Sequence, residues 1–286
     1  MVQEFYYYIW WRPRGPRPGH HRGRQRGGVS DFIGYLPLLS FPDPRRLDIL
    51  TSLRDPFEEW RVRVYSQNAA IPVCLIADLS ASMGFSGALR KLDVLSDLTA
   101  SVGYSAFRTG DSFSFIGCDE TVRQELILPP TNAKDGGVEW AGRLRTFRAT
   151  GKNAAGLLEA QNFLGSRRSL VFLVSDFHFP LDFLAGVLRS LSRHQIVPIV
   201  LWDEAEFETL SASGIAWVQD SETGKRRVLW LRPLFREKTA KRFERRRKDL
   251  EHVFAANQIQ PFFLSGAFKA ERLTDYFVSR GASAAG

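Results

Sequence analysis

The sequence predicts an α/β protein: a doubly wound, mostly parallel sheet with an N-terminal β-rich extension and a C-terminal helical segment. Three observations predict it. Ile71–Ala77, Leu170–Val174 and Ile196–Trp202 are continuous apolar runs of strand length, the pattern of strands buried on both faces. Between them, apolar residues recur at every third or fourth position, as helices packed on a sheet require. Strand and helix signals also alternate along the chain, which calls for right-handed crossovers between parallel neighbours.

The first zone, residues 1–70, begins with the aromatic cluster Phe5–Trp11. It then runs through Arg12–Gly28, a tract of Arg, Gly, Pro, His and one Gln that nucleates neither a helix nor a central strand. Short strands are expected at Phe32–Phe41 and at Trp60–Tyr65, the latter alternating polar and apolar residues. Phe32, Ile33, Tyr35, Leu36, Leu38, Leu39 and Phe41 are too apolar to be left in water, so their burial is expected.

The middle zone, residues 71–220, holds the sheet. After the first buried strand, Leu92, Leu95, Leu98 and Val102 form a helical stripe. Asp111–Cys118 and Thr121–Leu128 read as two strands joined by a tight turn. Val138–Phe147, Ala154–Leu164 and Phe183–His194 read as helices. The last zone, residues 221–286, opens with the hairpin signal Glu222-Thr223-Gly224-Lys225. A charged helix over Arg236–Asn257 follows, with Phe235, Phe243, Leu250 and Phe254 as its apolar stripe. A strand at Pro261–Leu264 and a helix at Ala270–Arg280 complete the chain, which contains no internal repeat.

Composition narrows the class. With 44% hydrophobic and 24% charged side chains, 286 residues suffice for a full-sized core. Cys74 and Cys118 lie in apolar runs with neither zinc-type nor paired spacing, so they read as buried free thiols in a reducing, cytoplasmic setting. The Phe5–Trp11 cluster is far shorter than the roughly 20 apolar residues of a membrane span, and no export or anchoring signal is visible. The net charge of +8 is divided unevenly: Arg12–Gly28 carries +6 and Lys225–Lys248 carries +10, leaving about −8 on the remainder.

In an open α/β sheet, ligands bind beyond the carboxyl ends of the strands, where the strand order reverses. The first buried strand ends in Asp78-Leu79-Ser80-Ala81-Ser82-Met83-Gly84. Its alternate Asp, Ser and Ser can aim three oxygens at one centre, a hard set of low charge that suits Mg²⁺ or Mn²⁺. Capping of a helix start explains the same residues equally well. The second buried strand ends in Ser175-Asp176-Phe177, which adds a carboxylate at the same edge. Ala149-Thr150-Gly151-Lys152-Asn153 lies between them as a polar turn. A single His at a strand exit, His178, reads as structural.

The Asp-x-Ser-x-Ser loop, the intermediate Gly turn and the Val-Ser-Asp-Phe strand end resemble the metal-ion-dependent adhesion site of a von Willebrand factor A domain. The wider chain resembles the bacterial domain of unknown function 58 family, through Arg12–His20, Asp43-Pro44-Arg45-Arg46-Leu47-Asp48 and Asp220-Ser221-Glu222-Thr223-Gly224. The resemblance implies that Ser80 and Ser82 ligate Mg²⁺ (or Mn²⁺) directly, and that Asp78 and Asp176 act through bound water. The third loop departs from the pattern: where the family has Thr, the implied ligand here is Asn153, or Thr150 in a shifted turn, and Lys152 stands beside Asn153. Met83, Gly84, Lys152 and Phe177 are expected around the site as partner-contacting residues. The implied role is a non-enzymatic adaptor or assembly factor for a MoxR-type AAA+ ATPase and a client protein. Some short members occur in methanol-oxidation gene clusters, where the implied client is methanol dehydrogenase.

No Gly-x-Ser-x-Gly elbow, phosphate loop or His-Glu-x-x-His helix occurs in the chain. The alternative function is nucleic-acid binding by the Arg/Gly tract and its neighbouring aromatics, Phe5, Tyr6, Tyr7, Tyr8, Trp10 and Trp11.

Overall fold

The structure, a computed structural model, describes residues 2–13, 20–87, 89–203, 214–219, 226–231 and 233–284. For residues 22–31, 33, 66–67, 214–219, 226–231, 233–240 and 282–284 it describes the backbone only. The chain forms two compact units, one of residues Trp11–Ile71 and one of Met1–Trp10 with Pro72–Gly286.

The smaller unit is an antiparallel ribbon of β1 (His21–Pro37) and β2 (Arg61–Ala69), with a short helix α1 (Ile49–Leu53) in the connection. The tract from His21 to Gly28 therefore does enter a strand. In a two-stranded ribbon each strand is an edge, where Gly-rich sequence is tolerated. Asp48 holds the connection together: it accepts the Thr51 amide at 2.9 Å, Arg63 Nε at 2.7 Å and the Tyr35 hydroxyl at 3.2 Å. The Thr51 amide first and Arg63 second pull its carboxyl down to about 2. Burial of the apolar 32–41 segment is not found. Leu39 is 97% exposed, Phe32 and Tyr35 are also exposed, and Leu36, Leu38 and Phe41 are only half-buried. A ribbon of two strands has no second layer of its own to cover them.

The larger unit contains the predicted sheet. Its strands are β3 (Pro72–Asp78), β4 (Ser112–Cys118), β5 (Val122–Thr131), β6 (Leu170–Ser175), β7 (Gln195–Leu201) and β10 (Phe262–Leu264), in the order β10-β7-β6-β3-β4-β5. All neighbours are parallel except the β4–β5 edge pair. Every residue of β6 and β7 is buried, which accounts for their unbroken apolar runs. A separate hairpin pairs β8 (Gly214–Gln219) with β9 (Arg226–Leu231); its Glu222–Lys225 turn lies outside the described residues.

Helices cover both faces of the sheet. Cys74, Ile76, Val171 and Leu173 pack with Leu184, Val187 and Leu188 of α4 (Leu181–Ser190), and with Leu250 and Phe254 of α5 (Pro233–Ala256). On the opposite face, Phe115 meets Trp140 of α3 (Gly136–Thr146), and Phe172 meets Phe277 of α6 (Ala270–Ala284) and Phe5. Helix α2 (Lys91–Arg108) buries Leu92, Leu95, Leu98 and Val102 completely. No helix among the described residues is long and apolar enough to cross a membrane.

Phe5 and Tyr7 are core residues, so two of the six N-terminal aromatics have no face free for a base; Tyr6 and Tyr8 are exposed. Phe235 of the expected stripe lies outside the described side chains, whereas Leu250 and Phe254 are fully buried. Ala154–Leu164 forms two 3-10 turns, Ala155–Leu158 and Ala160–Phe163, instead of a helix. The Gly156 amide is tied to the Asp119 carbonyl at 2.8 Å, and a Cβ on Gly156 would lie 2.3 Å from the Thr121 carbonyl carbon. That close approach fixes the segment against the β4–β5 turn before a regular helix can start.

Candidate functional site

The topology places the site. The chain goes from β3 outward to β4 and β5, then returns to β3's other side as β6, so the order reverses at the β3/β6 pair. This is the switch point of an open α/β sheet. Asp78 ends β3, and Ser175, the last residue of β6, precedes Asp176.

Asp78 organises both strand ends. Its Oδ1 accepts the Ser80 amide at 2.9 Å, closing the turn that follows β3, and its Oδ2 accepts the Ser175 hydroxyl at 2.6 Å. Burial, and then the nearby Asp176 charge, push the Asp78 carboxyl up to about 6. The Ser80 and Ser82 hydroxyls lie 3.2 Å apart. Met83 is fully buried and anchors the 3-10 turn Ala81–Gly84 from below.

The β6 exit is equally constrained. Phe177 takes a left-handed conformation, φ 53°, with its ring buried edge-on to Phe254. A non-glycine residue holds such a backbone only where its surroundings fix it. Here the Phe177 amide donates to the Ser175 hydroxyl at 2.9 Å, and Arg246 of α5 donates to the Phe177 carbonyl at 2.6 Å and to that of Phe179. Trp202 Nε1 donates to the Asp176 carbonyl at 2.8 Å. The exposed His178 ring stacks on Trp202.

Lys91, the first residue of α2, reaches the same place. Its ammonium is 3.0 Å from Asp176 Oδ2, with 3% and 1% of the two side chains exposed. Burial alone works against the Asp176 carboxylate. The Lys91 and His178 charges, aided by the Lys91 and Ser82 hydrogen bonds, outweigh it and hold Asp176 below the ordinary carboxyl value.

The middle loop approaches through its backbone. Ser80 bridges Gly151, whose carbonyl accepts the Ala81 amide at 2.7 Å. A Cβ on Gly151 would lie 2.4 Å from the Asp119 Cβ, so the approach requires glycine. The Asn153 side chain is exposed, and its carbonyl oxygen accepts the Ala155 amide at 2.9 Å, an Asx turn that starts the first 3-10 segment. Lys152 is exposed, and its amide donates to Glu120.

The structure thus gathers Asp78, Ser80, Ser82 and Asp176, while the Asn153 oxygen expected of the third loop serves its own backbone. Of the residues expected at the partner surface, Gly84 and Lys152 are exposed, but Met83 and Phe177 point into the core. They shape the loops from beneath. The two hydroxyls and the Asp176 carboxylate are hard oxygen donors whose chemistry suits a small divalent cation. Among the described residues no three His, Cys, Asp or Glu gather as a metal group, so such a site depends on the serines.

Residues 43–249 match the family described as protein of unknown function DUF58. A Paracoccus denitrificans protein described as an uncharacterized protein in the moxR 3′ region is 30% identical over 98 residues, 34% of this chain and 93% of that protein. Among solved structures, the conserved hypothetical protein BatB from Bacteroides thetaiotaomicron aligns with a TM-score of 0.43 at 12% identity, over 75% of this chain and 100% of its own. The VWA domain of SpRpn10 aligns with a TM-score of 0.41 at 12% identity, over 74% of this chain and 95% of its own. The matched segment runs from the β1–β2 connection through both strand ends of the site and into α5, and by that match the chain belongs to the DUF58 family.

Proposed function

We propose that the protein is a non-enzymatic cytoplasmic adaptor that receives an acidic side chain of a partner at the β3/β6 strand ends. One observation carries the reading: two hydroxyls 3.2 Å apart stand at the switch point of the sheet, over a carboxylate pair held by Ser175 and Lys91. The divalent cation, Mg²⁺ or Mn²⁺, would be held by Ser80, Ser82 and Asp176, with Asp78 behind them. When bound, it supplies a positive charge that a partner's Asp or Glu completes. The protein's own residues position that charge: Asp78 and Ser175 fix the β3 turn to the β6 exit, and Arg246 fixes Phe177.

A MoxR-type AAA+ ATPase is the proposed partner, supported by a relative described by its place in the moxR 3′ region. The client is a protein that this ATPase remodels, a metalloenzyme such as methanol dehydrogenase in the family's methanol-oxidation members. Co-purification of the full chain with the ATPase tests the reading: it should succeed with the wild type and fail with Ser80→Ala, Ser82→Ala at unchanged melting temperature.

A further inference from the structure

The site already contains a cation. Lys91 lies on the buried stripe of α2, at the same spacing as Leu95, Leu98 and Val102, and its ammonium rests 3.0 Å from Asp176 Oδ2 and 5.8 Å from the Phe85 ring centre. Both members of the pair are almost wholly withdrawn from solvent. A buried ion pair is a weak source of stability, because desolvation of two charges offsets much of their attraction. A cation in the first turn of a helix is also disfavoured by the helix dipole. Lys91 therefore stands where neither burial nor helix electrostatics favours it, on the one carboxylate that Ser82 also serves. An ion attracted to Ser80, Ser82 and Asp176 meets a like charge on the same carboxylate.

We infer that Lys91 is the resident counter-ion of the site and competes with a divalent cation for Asp176. Lys91 thereby sets the cation affinity and keeps it low in the isolated protein. A partner's carboxylate adds the negative charge that Lys91 has neutralised, so ion and partner enter together. The inference deepens the docking reading and takes from it only the location of the site.

The experiment is a Mn²⁺ titration of the full chain followed by electron paramagnetic resonance, comparing wild type, Lys91→Met and Lys91→Gln. The Gln side chain keeps a hydrogen-bond donor near Asp176 without the charge, which protects the fold should the Met variant lose it. At least tenfold tighter binding of one Mn²⁺ is expected in each folded variant, abolished by adding Ser80→Ala. Affinity equal to or weaker than wild type, no Mn²⁺ binding by a folded variant, or tighter binding that survives Ser80→Ala overturns the inference. The docking reading fails on a different readout, partner binding that ignores Ser80→Ala.

Discussion

Lys91 and Asp176 form an ion pair of 3.0 Å between side chains only 3% and 1% exposed, joining the start of α2 to the end of β6. Removing one partner leaves a buried charge uncompensated, which costs about 3–5 kcal/mol, whereas replacing both with neutral groups costs far less. Lys91→Met alone should therefore destabilise the fold by an amount in that range, and Lys91→Met with Asp176→Asn should recover most of it. Urea denaturation of the four proteins closes the cycle. Additive losses would show that the two side chains are not energetically paired.

The Gly151 contact makes a second prediction. Gly151→Ala puts a methyl 2.4 Å from the Asp119 Cβ and should cost about 1–3 kcal/mol by overpacking, while displacing the backbone bridge to Ser80. Gly142→Ala is the control: it lies in α3 with nothing within 4 Å of its Cβ, and should be neutral or stabilising by up to about 1 kcal/mol. Thermal melts distinguish the two. Equal melting temperatures would remove the requirement for glycine at 151.

His194 gives the fold a pH dependence at the opposite, amino-terminal end of the parallel strands, just before β7. Its Nδ1 accepts the Ser169 amide at 3.1 Å, which requires an unprotonated nitrogen. Burial first, then Arg193 and Arg168, lower its pKa from the ordinary 6.5. The unfolded chain therefore takes up the proton first. This stability is complete above about pH 6.5 and is lost as pH falls through the folded value. His194→Asn keeps an acceptor that does not titrate in this range. Between pH 7.5 and 5 the wild type should lose more melting temperature than the variant; parallel profiles would contradict the assignment.

The parallel core of the sheet, though not its strand order, was legible because β3, β6 and β7 are buried on both faces and so must be continuously apolar. The strand-end location of Asp78, Ser80, Ser82 and Asp176 followed from the same runs. The undersides of the loops were not legible. Whether Met83 and Phe177 face a partner or the core depends on how a turn folds back, and Phe177 adopts a backbone that no local pattern announces. Asn153 offered an oxygen by sequence, but an Asx turn uses it within two residues. Lys91 does carry a signal in the sequence. It sits four and seven residues before Leu95 and Leu98, on the buried stripe, where a lysine needs a buried acid as partner.

The apolar 32–41 segment shows the limit of arguing burial from composition. Hydrophobicity says that a surface should be covered, and not by what, and within its own unit the ribbon offers no cover.

The central claim is that the Ser80 and Ser82 hydroxyls and Asp176 receive a partner's carboxylate through a shared cation. The most direct measurement is calorimetric titration of the full chain with the MoxR-type ATPase proposed as its partner, in Mg²⁺ and in EDTA, for wild type and for Ser80→Ala, Ser82→Ala. Linkage requires that an ion which strengthens the complex be held more tightly within it, to the same factor. The account predicts at least tenfold weaker binding in EDTA, and a doubly substituted protein that binds weakly in both buffers while keeping its melting temperature. Equal affinity in Mg²⁺ and EDTA, unaffected by the two substitutions, would contradict it.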